Sequence, residues 1–86
     1  MLETSFVFST KENKPGSLSD ILLELSSKHV NMARIVSRPT KKRLGEYMFF
    51  IDIDGHIEDA VISEVINNIE SKCLWFKFLG SYPRHT

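Results

Sequence analysis

The chain predicts an α+β domain, a four-stranded antiparallel sheet with two helices on one of its faces. Three features of its 86 residues lead there. Apolar residues recur at helical spacing in two separated stretches, they alternate in four others, and the six segments run β-α-β-β-α-β. Right-handed crossovers then carry both helices to the same side of the sheet. A chain this short makes one domain, residues 1–86, and oligomerisation would add to a core of modest size.

The first strand, Thr4 to Thr10, sets Phe6 and Phe8 on one face and Ser5, Val7 and Ser9 on the other. A polar loop, Lys11 to Gly16, follows it. In the first helix, Ser17 to Lys28, the residues Leu18, Ile21, Leu22 and Leu25 fall at i, i+3, i+4 and i+7. Ser17 with Asp20 three residues on has the spacing of a capping box. Asn31 turns the chain into the second strand, Met32 to Arg38, with Ala33 and Ile35 expected inward and Arg34, Val36 and Arg38 opposite. Pro39 supplies no ladder donor, which puts this strand at an edge, its backbone groups free for another chain or a ligand.

Lys41 to Gly45 is a basic connection of hairpin length. In the third strand, Glu46 to Asp54, the core set is Tyr47, Phe49, Ile51 and Ile53; Glu46, Met48, Phe50, Asp52 and Asp54 face out. The second helix runs from about Ile57 to Ser71, with a stripe of Val61, Ile62, Val65, Ile66 and Ile69 and with Glu58 and Asp59 in its first turn. Cys73 to Leu79 is the last strand, Phe76 and Phe78 inward, Trp75 and Lys77 outward, and Gly80 to Pro83 closes the domain. This is the ferredoxin-like βαββαβ sandwich. Val7, Met48, Phe50 and Trp75 then share its outer face, an apolar patch of the kind that meets another protein surface.

Composition narrows the function. The formal charge is zero and the pI about 6.8, so no global field draws nucleic acid or anionic lipid. A single cysteine, Cys73, excludes an internal disulfide and multi-cysteine metal motifs, and is expected to act as a small hydrophobe. Nothing resembles a signal peptide, and no apolar run approaches the roughly 20 residues of a membrane helix. The expectation is a cytoplasmic protein with no membrane partner.

No catalytic constellation emerges. His29, His56 and His85 lie at a helix end, in a turn and in the tail, none beside a nucleophile. Asp52 and Asp54 share a strand face, but a polar outer face explains them without a metal. No enzyme activity, metal or cofactor is expected. Two stretches do suggest binding. Free N–H groups at the start of the first helix suit a carboxylate, Gly16 permits close approach, and Asn13 offers a donor and an acceptor. The basic run Arg38 to Arg43, followed by Gly45 and Tyr47, invites comparison with RNA-recognition motifs. There the open face would carry Glu46, Asp52 and Asp54, which repel phosphate, so nucleic acid is not the expected partner.

Asn13-Lys14-Pro15-Gly16-Ser17-Leu18, the Ile35-Val36-Ser37-Arg38-Pro39 element, Gly45-Glu46-Tyr47-Met48-Phe49-Phe50-Ile51-Asp52, Gly55-His56 and the closing Leu79-Gly80-Ser81-Tyr82-Pro83-Arg84 together have a known pattern. The chain resembles the ACT domain of prephenate dehydratase, the regulatory module that senses phenylalanine, over nearly its whole length. The resemblance implies a homodimer paired side by side through strand two, with tetramers of such pairs left open, and a catalytic prephenate dehydratase domain as partner. It implies L-phenylalanine as effector, held between one subunit's loop before helix one and the other's strand two. Carried across, Asn13, Pro15, Gly16, Ser17 and Leu18 form one wall and Val36, Ser37, Arg38 and Pro39 the other. Two positions depart from the family: Val36 stands where it has Glu, and Ser17 where Ala is usual. A second implied reading is a structural dimerisation domain with altered or lost ligand binding.

Overall fold

Burial on both faces distinguishes one strand of the computed structural model, which describes residues 2–10, 17–41, 46–73 and 75–83, residue 17 by its backbone alone. That strand is β1 (Leu2–Ser9), and it lies inside a sheet whose order is β2-β3-β1-β4. The other elements are α1 (Ser17–Ser27), β2 (Met32–Pro39), β3 (Tyr47–Asp54), α2 (Ala60–Lys72) and β4 (Trp75–Pro83). All three strand pairings are antiparallel. The architecture is the ferredoxin-like one the periodicity predicts, and β2 is an edge strand as Pro39 requires.

The core forms where the alternation of β1 and β3 meets the two helical stripes. Phe6, Phe8, Ile51 and Ile53 pack under Ile21 and Leu25 of α1 and Ile62, Val65, Ile66 and Ile69 of α2. Rings continue across the strands: Phe76 lies 5.5 Å from Phe6, Phe6 lies 6.1 Å from Phe8, and Phe8 lies 5.4 Å from Phe49. These are stacked contacts in the range where aromatic pairs add to simple burial. Above the sheet, Glu24 of α1 accepts from Asn68 of α2 at 2.9 Å and meets Lys72 at 3.5 Å, which ties the helices side by side. The Asn68 hydrogen bond, more than the lysine charge, holds the Glu24 carboxyl below its usual range.

Several positions differ from the sequence expectation, each for a local reason. The β2–β3 register slips between Met32 and Arg34, so Met32, not Ala33, packs toward the core. Tyr47 is 46% exposed because it opens β3 opposite Pro39, at the end of the ladder. Val61 is 43% exposed. The stripe at 62, 65, 66 and 69 already fills the buried arc, and one residue back rotates about 100° away from it. Helix α2 begins at Ala60, later than Ile57, because Asp59 is its N-cap and accepts from the Val61 N–H at 2.9 Å. Phe78 opposes Phe6 but stays exposed on the β4 edge. On the outer face Val7 is buried, Met48 and Phe50 are half-buried and Trp75 is exposed, so the expected patch is a floor with an exposed margin.

The largest difference is at the end. Gly80 to Pro83 continue β4, with Ser81 opposite Thr4 and Tyr82 opposite Glu3, after a bulge that leaves Leu79 unpaired. Hydroxyl groups explain the extension. The Ile57 N–H donates to Ser81 Oγ at 3.1 Å, Ser81 Oγ lies 2.7 Å from Thr4 Oγ1, and Thr4 Oγ1 donates to the Gly55 carbonyl at 2.8 Å. With its own proton given to Gly55, Thr4 must accept from Ser81. The relay pins the β3–α2 turn onto the two strands beneath it.

Gly55 sits in that turn at φ 120°, and a Cβ there would come within 2.7 Å of the Ile62 side chain. Gly55→Ala should therefore lower stability by about 1–3 kcal/mol, read as a lower urea midpoint with an unchanged slope. A midpoint equal to the parent's would show that the turn relaxes freely.

Candidate ligand site at the β2 edge

Strand β2 presents three surfaces: an outer backbone edge and two faces. The β3 pairing assigns its side chains, since residues directly opposite across an antiparallel ladder share a face. Ile35 opposes Ile51 and Ser37 opposes Phe49, both on the helix side. Arg34 opposes Asp52, Val36 opposes Phe50 and Arg38 opposes Met48, on the open side. Pro39 pairs with Tyr47, and the ladder closes beyond it with the Thr40 N–H donating to the Glu46 carbonyl at 2.8 Å.

The residues expected to bind a ligand therefore divide. Ser37 lies on the helix side, exposed at the edge; Val36 and Arg38 face the opposite way, Val36 half-buried and Arg38 exposed. Leu18, in the first turn of α1, packs against the core. Asn13, Pro15 and Gly16, and the capping box expected of Ser17, lie outside the described residues. One strand thus serves two sides, a division the sequence pattern already contains.

A recess of about 430 Å³ opens on the far side, and its lining includes Arg34, Val36, Arg38, Phe50, Leu79 and Tyr82. At its base the Ser5 hydroxyl donates to Asp52 Oδ1 at 2.5 Å and meets the Tyr82 hydroxyl. Having given its proton to the carboxylate, Ser5 accepts from Tyr82. Sequence reasoning placed Ser5, Arg34 and Asp52 on the outer face but passed over Leu79 and Tyr82, which it had put beyond or at the end of the last strand. No apolar alternation in Gly80-Ser81-Tyr82 marks the continuation of β4, which rests on its pairing with β1.

Two further titratable groups have structural partners. His56 Nδ1 accepts from the Glu58 N–H at 3.0 Å, and Asp54 Oδ2 accepts from Asn31 at 2.8 Å. Among the described residues no three His, Cys, Asp or Glu side chains converge as a metal site, and no helix is long and apolar enough to cross a membrane.

The family profile of the ACT domain matches residues 5–71. The chain belongs to the ACT domain family. It is 42% identical over 81 residues to the prephenate dehydratase of Methanocaldococcus jannaschii, covering 94% of this chain and 29% of that protein. Its fold matches the crystal structure of prephenate dehydratase from Arthrobacter aurescens in complex with L-Phe, with a TM-score of 0.87 and 40% identity over 96% of this chain and 27% of that one. It also matches GqqA, a quorum-quenching acylase, with a TM-score of 0.87 and 26% identity, covering 98% of this chain and 43% of that one. The chain spans less than a third of the length of the curated relatives it matches. This ACT domain is homologous to the regulatory part of prephenate dehydratase.

Cys73 donates its thiol to the Ile69 carbonyl at 3.1 Å, and burial, helped by the Glu70 charge, pushes its pKa up to about 11. At pH 8 the thiolate fraction is then roughly 0.1%. Iodoacetamide at pH 8 should alkylate the native chain about 100-fold more slowly than the urea-unfolded chain. Equal rates would show a thiol open to solvent.

Proposed function

We propose that this chain is the amino-acid-sensing regulatory domain of a prephenate dehydratase, binding L-phenylalanine between two copies paired along β2 and feeding back on phenylalanine biosynthesis. The observation that carries the reading is the edge position of β2, which ends at Ser37-Arg38-Pro39 and, among the described residues, has a strand neighbour on one side only. The likeness to a prephenate dehydratase solved with L-Phe supports that amino acid as the ligand. The reading assigns no chemical step to the chain, which would act in the cytoplasm on a catalytic domain elsewhere in the parent enzyme.

An amino acid needs donors for its carboxylate, acceptors for its ammonium and an apolar slot for its ring. In the proposed seam Ser17 and Leu18, with Asn13, Pro15 and Gly16 ahead of them, form one wall, and Ser37 and Pro39 of the other copy the second. Val36 and Arg38 would then act from behind the strand and not on the ligand. Binding that spans two copies favours the paired state by no more than its differential affinity for that state.

Calorimetric titration with L-phenylalanine, alongside sedimentation at several concentrations, tests this directly. Saturable heat and a ligand-strengthened dimer are expected, and Asn13→Ala should weaken binding about tenfold through loss of a hydrogen bond to a charged group. A chain that stays monomeric with and without the amino acid would overturn the reading. Val36→Glu should change phenylalanine affinity by less than about threefold, since residue 36 faces away from the helix side. If Val36→Glu instead creates binding that the parent lacks, the chain is a structural dimerisation domain with a lost pocket.

A further inference from the structure

The recess on the open face is chemically distinct from the proposed seam. Arg34 and Arg38 both point onto that face, four residues apart and so about 13 Å along the strand. Among the described residues neither guanidinium takes part in an ion pair or hydrogen bond. Arg34 faces Asp52 across the ladder, and that carboxylate accepts from the Ser5 hydroxyl, itself backed by Tyr82. The opposite-charge pair that strand register would ordinarily make is left unmade.

Between the two cations the surface is apolar. Val36 and Phe50 oppose each other as a floor, and Leu79, pushed out of the ladder by the β4 bulge, stands as a wall. The recess of about 430 Å³ falls within the usual range for small-molecule sites. Each half of this arrangement excludes a ligand class. Inorganic phosphate or a nucleic-acid backbone would leave the apolar floor unused. An uncharged hydrocarbon would make no use of the two guanidinium forks.

We propose that this recess binds a small organic acid whose carboxylate pairs with Arg34 or Arg38 while its aryl or branched hydrocarbon body rests on Val36, Phe50 and Leu79. Strand addition at β2 would engage the backbone edge, whereas the recess lies on the open face.

The test is a nuclear magnetic resonance titration of the isotope-labelled chain with phenylacetate, a carboxylate without an ammonium group. Saturable shifts are expected at the Val36 and Leu79 methyls and at the arginine side chains. Arg34→Gln, outside the phenylalanine walls, should weaken phenylacetate binding about tenfold or more, with Arg34→Lys intermediate because it keeps the charge and loses the fork. The alcohol 2-phenylethanol, which keeps the body and lacks the charge, should bind at least about tenfold more weakly. The proposal is overturned if these residues do not respond at about 20 mM phenylacetate. It is also overturned if the alcohol binds equally, or if Arg34→Gln leaves affinity unchanged. Shifts confined to Ile35 and Ser37 would put the probe in the seam and overturn this site alone, whereas loss of phenylalanine binding leaves it intact.

Discussion

The structure depends on a central strand that must be acceptable on both of its faces. β1 lies between β3 and β4, and from Thr4 to Ser9 every residue is buried. Toward the helices it supplies Phe6 and Phe8, the middle of a run of stacked rings that reaches into both neighbouring strands. Toward the open side its positions are small or hydroxylated: Ser5, Val7 and Ser9. A second row of large side chains there would have made the sheet two-sided and apolar throughout. The small residues leave a shallow floor, and larger side chains from the flanking strands rise around it.

Two adjacent hydroxyls on that strand bind the rest of the chain in opposite directions. Thr4 works on the helix side, linking Ser81 to the Gly55 carbonyl and so fastening the turn between β3 and α2. Ser5 works on the open side, linking Tyr82 to Asp52. Each satisfies a buried polar group that would otherwise cost more than it contributes. The same arrangement that closes the end of the sheet shapes the base of the recess beside it.

β2 is where family membership and local physics meet. Its residues alternate between two surfaces, so a substitution at one position can leave the other surface unchanged. Val36 is the clearest case. As a member of the Ile35 to Pro39 element it looks like part of one motif, yet it shares its face with Phe50 and not with Ser37. A contiguous motif on a strand is two half-motifs in space, and period two decides which half a ligand would meet.

Much of this was readable from the chain. Phe6 and Phe8, the stripe from Ile62 to Ile69, and Pro39 at the end of an edge strand all follow from periodicity and from the missing proline donor, which are local properties. Their joint order restricts the topology to very few arrangements. What periodicity could not carry were the places where registry slips: the irregularity that exchanges Ala33 for Met32, and the bulge that frees Leu79 and lets β4 run on to Pro83. Nor could it bring together Ser5, Asp52 and Tyr82, which are 47 and 77 residues apart from Ser5 in the chain. Alternation assigns a residue to a face, and that much the amino-acid order determined by itself. Which residues from distant strands become neighbours on that face depends on pairing register and bulges, set by side-chain and hydrogen-bond partners that meet only once the sheet has formed.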